Sequence, residues 1–357
     1  MKESAFNRPP LKVALMGLGR AMLNVHFPVL SANPSLFNVV AACELIKSRR
    51  DIVAERFPDC KMFRMFDDML DERDIDLVFI ALPAADRLKY ILKSLESGFW
   101  TLVESPLALT LDEAKILRGA AIKAKNRLAV VERSFFQPDY LLAEKMISDK
   151  RIGKVHKIAV RREEFVRRND WQAVRRMGGG AVNCQMPDLI TAALKLIQGQ
   201  PVQLWSDVKR IVATGDVEDY VHLNIVSRSG ITADIDYNGA MLPENRSPSY
   251  SIIGSSGVFS VMPGESSGLL TCIDPSYKLP KVRTSVRTPP VDEVQDVVPT
   301  VSERISLPSD TVSGLQAFWQ SVYSVVRLAQ PLPYTLDESI EAVKFMNLVY
   351  KSSQFGR

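Results

Sequence analysis

The sequence contains few of the residues that build metal centres and disulfide frameworks. Its 357 residues include four cysteines and three histidines, which are scattered along the chain without a Cys-x-x-Cys pair. No zinc or other metal site is therefore expected. A chain of this length does not need disulfides to hold a core, so we expect a reducing compartment.

Long apolar runs and a strong excess of one charge are also absent from the sequence. No apolar stretch approaches the roughly 20 residues that span a membrane, and the first residues hold no apolar segment of secretory length. The net charge of +4 is too small to indicate nucleic-acid binding. We expect a soluble, cytoplasmic protein that contacts neither membranes nor nucleic acids.

Short apolar runs alternate with helix-like segments in the first third of the chain. One of these helices has Thr110 at its expected start and Glu113 three residues later, the pattern of a capping box. Apolar strands that alternate with helices are typical of a parallel sheet covered on both faces. We therefore predict a doubly wound α/β domain over residues 1–134. Its predicted strands are 12–17, 37–44, 76–83, 99–106 and 127–134.

The pattern changes after residue 134. Longer strands there alternate apolar and polar residues, and Ser229-Gly230 and Ser256-Gly257 indicate hairpin turns. We predict a second domain over 135–357, with a large, mostly antiparallel sheet that has one exposed or partner-covered face. Residues 263–310 are rich in Pro, Ser and Thr and are expected to form connecting loops with short strands. Two helices are expected to end the chain.

A glycine pair follows the first predicted strand in the segment MGLGRAM. Gly17 and Gly19 allow the backbone to turn sharply and to approach a pyrophosphate, with Arg20 and Ala21 at the start of the following helix. Met22 stands where the G-x-G-x-x-G motif has its third glycine. The motif alone is therefore also compatible with an ordinary strand-to-helix turn.

Glu44 ends the second predicted strand, where an acid can accept hydrogen bonds from the hydroxyls of an adenosine ribose. A carboxylate at this place repels a 2′-phosphate and therefore favours NAD. The cations that follow, Lys47, Arg49 and Arg50, leave NADP open as the alternative.

The segment TLVESPLALT places Glu104, Ser105 and Pro106 where a buried strand ends and a helix follows. Open α/β sheets bind their ligands at this edge. Pro83 ends the preceding predicted strand at the same edge. We expect Pro83 and Glu104 near the nicotinamide end of a bound dinucleotide.

These segments resemble the glucose-fructose oxidoreductase / inositol dehydrogenase / rhizopine-catabolism family (Gfo/Idh/MocA) over nearly the whole chain. The resemblance rests on GLGRAMLNVHFPVL, VVAACE, DLVFIALP, SLESGFWTLVESPLALTLDEA, RIGKV, MGGGAV, YSIIGSSGVFSV and the last helices. It implies a Rossmann domain, a C-terminal α/β domain whose open sheet forms a subunit interface, and NAD(P)-linked oxidation or reduction of sugars and related molecules. A homo-oligomer, either a dimer or a tetramer, is therefore expected.

The chain departs from this family at positions where the resemblance implies chemistry. The usual Glu-Lys-Pro corresponds to Glu104-Ser105-Pro106, in which serine keeps a hydrogen-bond donor but loses the positive charge. The usual Asn and His near the nicotinamide correspond to Ala84 and Arg87, and Arg87 is therefore expected to bind the cofactor.

A further departure follows the glycines Gly178 to Gly180. The usual Asp, and the His four residues later, correspond to Cys184 and Asp188, which share one helix face beside the substrate. Asp188 is the candidate general base if burial raises its pKa, and the alternative is a carboxylate that complements the helix dipole. Cys184 is expected to be a small residue of this face rather than a nucleophile.

Three arginine pairs lie between Lys154 and Arg176, and the resemblance places this stretch beside the substrate pocket. Arg175 and Arg176 are the candidates to bind a carboxylate or phosphate of an anionic substrate. The alternative is a solvated strand edge that Glu163 and Glu164 partly neutralise.

Two functions follow from these observations. The first is an NAD(P)-dependent oxidoreductase that acts on a sugar-like or other small, anionic hydroxy or carbonyl compound. In it Asp188 handles the proton, while Ser105 and Glu104 lie at the reacting centre. The second is a non-catalytic, dinucleotide-binding regulator or scaffold. His26 is expected to pack at a helix end and to take no part in catalysis.

Overall fold

The computed structural model describes residues 8–280 and 297–353, and in these ranges the strands form a six-stranded and an eight-stranded sheet. The predicted loop region 263–310 contains two short strands where it is described. Its residues 281–296 lie outside the described residues.

The first sheet has the strand order β3-β2-β1-β4-β5-β6, and every pair in it is parallel. The predicted doubly wound sheet is confirmed, with one short strand, β3, in addition to those predicted. Parallel strands in this order turn their carboxyl ends toward one edge. The strands are Leu11–Met16 (β1), Phe37–Cys43 (β2), Lys61–Phe63 (β3), Leu77–Ile80 (β4), Trp100–Val103 (β5) and Leu128–Val130 (β6).

Helices connect these strands. A π-helical turn, Ala21–His26, leads into the first of them. The predicted capping box is confirmed at the start of the helix Leu111–Lys123. There the Thr110 hydroxyl accepts a hydrogen bond from the Glu113 amide, and the Glu113 carboxylate accepts one from the Thr110 amide. The helices are Phe27–Ala32 (α1), Lys47–Arg56 (α2), Phe66–Leu70 (α3), Leu88–Glu96 (α4), Leu111–Lys123 (α5) and Pro138–Asp149 (α6).

The second sheet has the order β14-β13-β12-β11-β7-β10-β9-β8. Its pairs are antiparallel except for β7 with β10, and the predicted hairpins join β9 to β10 and β11 to β12. Its strands are Val155–Glu163 (β7), Pro201–Lys209 (β8), Tyr220–Ser227 (β9), Thr232–Asn238 (β10), Tyr250–Gly254 (β11), Gly257–Val261 (β12), Ser267–Ile273 (β13) and Thr300–Ser306 (β14). The remaining helices are Ala181–Cys184 (α7), Met186–Ile197 (α8), Gly314–Leu328 (α9) and Leu336–Ser352 (α10).

The two faces of the second sheet differ. Helices α6, α8 and α10 pack on one face, where alternate β9 residues such as Leu223 are fully buried. On the opposite face Trp205 is 56% exposed and packs edge-on against the ring of His222. The predicted sheet is therefore present, and the described residues leave one of its faces exposed.

The last helices return to the first sheet. Trp319 of α9 is fully buried and packs edge-on against Phe37 of β2 and Phe79 of β4. Arg327 at the end of α9 forms an ion pair with Asp76, just before β4. The core of the first sheet is therefore completed by residues that come almost 200 positions after its last strand.

Candidate active site

A cleft with a volume of about 750 Å³ lies at the carboxyl edge of the first sheet. Its first wall consists of strand ends of that sheet (residues 17–49, 81–106 and 131–133), and its second wall consists of residues 162–188. The sequence-predicted residues that line it are Gly17, Gly19, Arg20, Ala21, Glu44, Pro83, Arg87, Glu104, Ser105, Cys184 and Asp188.

The glycine turn opens the first wall. Gly17 has φ of +86°, and a Cβ placed there would lie 2.8 Å from Leu82 Cδ2 and 3.1 Å from the Ala81 carbonyl oxygen, so the turn requires glycine. A Cβ on Gly19 would meet no described atom within 4 Å, so the backbone there faces open space. The first amides of the following helix lack intrahelical acceptors, which makes this turn suited to a phosphate.

Glu44 connects the end of β2 to the glycine turn. Its Oε2 accepts the Leu18 amide hydrogen at 3.0 Å, and its Oε1 accepts the Ile46 amide hydrogen at 3.0 Å. Arg49 Nη1 lies 3.5 Å from Oε2. Each carboxylate oxygen retains a second lone pair, so Glu44 can still accept hydrogen bonds from a ribose.

An ion pair joins the two walls. Arg20, predicted to bind the dinucleotide, pairs with Asp170 of the second wall. More than half of the Arg20 side chain remains exposed, so a ligand phosphate can reach the guanidinium without breaking the pair.

Two buried rings position Glu104 at the centre of the first wall. Trp319 Nε1 donates to His26 Nδ1 at 3.2 Å, and His26 Nε2 lies 2.7 Å from Glu104 Oε1. The indole N–H can only donate, so Nδ1 carries no proton and Nε2 donates its hydrogen to Glu104. His26 therefore packs in the interior as predicted, and it also orients a carboxylate that lines the cleft.

The charges around Glu104 keep it ionised. Burial would raise the pKa of Glu104, but the hydrogen bond from His26 and the charges of the nearby Arg133 and Arg87 outweigh that effect and lower it. Arg87 is buried and donates to the Glu104 carbonyl oxygen. Burial lowers the pKa of the Arg87 guanidinium to about 10, against the opposing charge of Glu104. Arg87, predicted to bind the cofactor, thus supports the backbone of this corner.

Ser105 presents a hydroxyl without a partner. Its Oγ is buried, and it forms no hydrogen bond with any residue of the described ranges. A buried hydroxyl left unpaired costs about 1–3 kcal/mol. Because Ser105 lines the cleft, a ligand oxygen can supply the missing partner.

A buried carboxyl group supports the glycine loop of the second wall. Gly180 has φ of +100°, and a Cβ there would collide with the Glu218 carboxyl group. Glu218 Oε1 accepts hydrogen bonds from the Val182 amide and the Tyr350 hydroxyl, both at 2.9 Å, and burial raises the Glu218 pKa. Burial also raises the pKa of the Cys184 thiol to about 12, so Cys184 presents a protonated thiol rather than a nucleophile.

Asp188 is held by an arginine. Its Oδ2 lies 2.9 Å from Arg162 Nη2, and its Oδ1 accepts the Ser134 amide hydrogen at 3.0 Å. Burial would raise the pKa of Asp188, but Arg162, Arg133 and the hydrogen bonds outweigh it and lower the pKa. The raised pKa that was the condition for Asp188 as a general base is therefore not found, because an arginine from β7 pairs with this carboxylate.

Glu132 is a second acid in this region. It is almost fully buried, and its Oε1 accepts a hydrogen bond from Ser339 Oγ at 2.8 Å. Burial, reinforced by the charge of Asp188, raises the pKa of Glu132 well above its ordinary value. The pKa values of the two neighbouring acids are therefore shifted in opposite directions, upward for Glu132 and downward for Asp188.

Arg175 and Arg176, the predicted substrate-binding pair, are not among the residues that line the cleft. The Arg175 amide donates to Asp216 Oδ1 at 2.8 Å, and the charge of Arg175 acts on Glu218, so this segment faces residues 216–218. Arg176 is exposed. Arg168, from the same stretch, lines the cleft instead.

Sequence reasoning missed several residues of the cleft and its support. Arg133 follows β6 at the same sheet edge as Glu104, and that position is a signal that could have identified it. Trp319 carries no such signal, because it meets His26 from 293 positions away.

Within residues 8–280 and 297–353, no group of three His, Cys, Asp or Glu side chains is arranged to hold a metal ion. In the same ranges no helix combines the length and the apolar character needed to cross a bilayer.

Comparison with known proteins identifies the family. Residues 11–132 match the model of the NAD-binding Rossmann fold of an oxidoreductase family, and residues 140–260 match the GFO/IDH/MocA C-terminal domain. The chain is 26% identical to the oxidoreductase C115.03 of Schizosaccharomyces pombe over 97% of this chain and 98% of that protein. It is 22% identical to the scyllo-inositol 2-dehydrogenase (NADP(+)) IolW of Bacillus subtilis over 97% of this chain and 95% of that protein.

A solved structure has the same fold. The NAD-binding protein from Listeria innocua superposes with a TM-score of 0.80 at 19% identity, over 98% of this chain and 99% of that chain. Since the two family models together match well over half of its length, the chain belongs to the GFO/IDH/MocA family of NAD-binding oxidoreductases.

Proposed function

We propose that the protein transfers a hydride between a nicotinamide dinucleotide and a small hydroxy or carbonyl compound. The proposal rests on the composition of one cleft. Its first wall holds the glycine turn and the Glu104-Ser105 corner, and its second wall holds Cys184 and Asp188. Hydride transfer requires donor and acceptor to be held in contact. A dinucleotide along the first wall would leave its nicotinamide at Glu104, with the substrate between the walls.

The first wall fits a dinucleotide. The open backbone at Gly19, with Arg20 and Ala21, would hold the pyrophosphate, and Pro83 and Glu104 would border the nicotinamide. The nicotinamide supplies the site that accepts or releases the hydride.

We favour NAD over NADP because Glu44 lies at the place where a ribose 2′-hydroxyl would bind. Its carboxylate is fixed by two backbone amides and would repel a 2′-phosphate. Arg49 beside it could hold such a phosphate, and one relative is named as an NADP(+) enzyme. NADP is therefore the alternative.

The substrate end favours an anionic, sugar-like compound. Arg168 takes over the anchoring role that the sequence suggested for Arg175 and Arg176, because a guanidinium matches the geometry of a carboxylate or phosphate. Ser105 would hydrogen-bond the reacting oxygen. Asp188 would act as an ionised carboxylate that holds Arg162 in the cleft, rather than as a base of raised pKa.

The non-catalytic alternative is not favoured. The curated relatives given above are named as oxidoreductases or dehydrogenases, and both walls of the cleft keep groups suited to a reacting oxygen. We also propose a homo-oligomer that pairs through the uncovered sheet face around Trp205, and a cytoplasmic location, since all four cysteines are free thiols.

Isothermal titration calorimetry with NAD⁺, NADH, NADP⁺ and NADPH tests the cofactor assignment. We expect NAD⁺ and NADH to bind tightly. In Glu44→Ala the preference for NAD over NADP should be weaker, because that substitution removes the carboxylate that repels the 2′-phosphate. Failure of all four nucleotides to bind would contradict the proposed function. An unchanged preference in Glu44→Ala would contradict the role of Glu44 alone.

A further inference from the structure

The centre of the cleft has a hydrogen-bond donor at Ser105 but no cation at that position. Ser105 Oγ can bond a reacting oxygen, yet a neutral hydroxyl gives limited stabilisation to the negative charge that develops there. A cation within the cleft would therefore complete the site.

Arg133 leaves the sheet directly beside this corner. Val103 of β5 pairs with Val130 of β6, and the Val131 amide donates to the Val103 carbonyl oxygen at 2.8 Å. The chain segments that carry Ser105 and Arg133 therefore run side by side past the carboxyl edge. Both residues line the cleft.

The guanidinium of Arg133 is not engaged elsewhere. It is exposed, and among the described residues it has no hydrogen-bond or ion-pair partner. The other cleft arginines differ. Four of them are already bound to protein oxygens, namely Arg20, Arg49, Arg87 and Arg162.

The charge of Arg133 acts on both sides of the corner. It contributes to the lowered pKa values of Glu104 on the first wall and of Asp188 on the second. Arg168, the other arginine of the cleft without such a partner, acts instead on Cys184 and Tyr237, farther along the second wall. Arg133 is therefore a cation of the cleft whose charge acts on the carboxylates of both walls.

Resting on the proposed function, we propose that Arg133 is a catalytic residue that stabilises the negative charge of the reacting oxygen, with Ser105 as the second donor. In the oxidation direction the C–H bond breaks and its electron pair leaves as hydride to the nicotinamide. The hydroxyl proton passes to solvent, and the C=O bond forms. Arginine stays charged and takes no proton, so Arg133 acts as an electrostatic donor in both directions.

Sulfite is a suitable probe because it needs no knowledge of the substrate. Its sulfur lone pair adds to the nicotinamide ring of NAD⁺, which forms a C–S bond, neutralises the ring and produces a new near-ultraviolet absorbance without any further reactant. The sulfite oxygens stay anionic and would lie where the reacting oxygen lies. We expect Arg133→Ala to weaken adduct formation by about 10-fold to 100-fold, the loss of one charged hydrogen bond.

The matched control is Arg73→Ala, which removes an exposed arginine just before β4, at the opposite edge of the first sheet. It should leave the adduct unchanged. The double variant Ser105→Lys/Arg133→Ala should regain the adduct, because the ammonium restores a cation at the corner. Binding of NAD⁺ alone is measured by calorimetry for every variant.

The outcomes separate this inference from the proposed function. Failure of the unsubstituted protein to bind NAD⁺ would overturn both. If NAD⁺ binds and Arg133→Ala forms the adduct as well as the unsubstituted protein does, the role of Arg133 is overturned while the cofactor assignment stands. Absence of any adduct in NAD⁺-loaded unsubstituted protein would also overturn the role of Arg133.

Discussion

The two walls of the cleft are stabilised in different ways. The first wall follows from the parallel sheet, whose strand ends carry Gly17, Glu44 and Glu104 to one edge and hold them with backbone amides and buried rings. The second wall has no such frame. It depends on charged side chains from distant segments, above all the ion pair between Arg162 of β7 and Asp188 of α8.

Because of this difference, substitutions in the two walls should affect different properties, namely ligand binding for the first wall and stability for the second. A change in the first wall alters a surface that the sheet holds in place, so its main effect should be on the dinucleotide. A change in the second wall removes a partner from a buried charge, so its main effect should be on the free energy of unfolding.

Gly17→Ala should have the largest effect on dinucleotide affinity. The new Cβ would lie 2.8 Å from Leu82 Cδ2 on a backbone with positive φ, so the turn must shift away from the pyrophosphate position. We expect NAD⁺ affinity to fall by more than about 10-fold in calorimetry, which corresponds to roughly 1.4 kcal/mol. Gly119→Ala is the control, since a Cβ there would meet no atom of the described residues within 4 Å. Equal affinity in both variants would contradict the role of the first wall.

Asp188→Asn should mainly affect stability. Loss of one partner of a buried ion pair costs about 3–5 kcal/mol. The Arg162 side chain is about 31% exposed, so we expect roughly 2 kcal/mol in urea unfolding. The matched control is Glu341→Gln, which breaks the more exposed Lys344–Glu341 pair and should change stability by less than about 1 kcal/mol. Similar small effects in both variants would show that the pair does not hold the second wall.

Trp319→Phe should act on the first wall through His26. The substitution keeps a buried aromatic ring but removes the N–H that fixes the tautomer, at a cost of about 1 kcal/mol. With three histidines in the chain, ¹⁵N NMR can resolve the His26 ring. We expect a proton on Nε2 in the unsubstituted protein and a mixture of tautomers in the variant. A proton on Nδ1 before substitution would contradict the assignment.

Glu132→Gln should change how steeply the melting temperature (Tm) depends on pH. The pKa of Glu132 is raised in the folded state, so its contribution to stability is fully present below the unfolded pKa and is lost as pH rises toward the folded pKa. As the pH rises above the unfolded pKa of a glutamate, about 4.3, the Tm of the variant should therefore fall less than that of the unsubstituted protein. Parallel Tm curves would indicate that Glu132 is ionised in the folded protein.

The first wall was largely predictable from sequence, and the reason is local. Gly17, Glu44 and Glu104 each end an apolar run, and parallel strands bring such ends together. The second wall was not predictable in the same way. The lowered pKa of Asp188 depends on Arg162, 26 positions earlier, and the turn that contains Arg175 is fixed by Asp216. These contacts follow from tertiary packing and leave no periodic signal.

A screen for substrate-dependent NAD(P)H fluorescence tests the central claim most directly, with acidic sugars, polyols and keto compounds added to the cofactor-loaded protein. The account predicts a change with at least one anionic hydroxy or carbonyl compound. It also predicts a raised KM in Arg168→Ala, because that substitution removes the proposed anchor on the second wall. Tight cofactor binding with no change for any compound would contradict it and would favour the non-catalytic regulator.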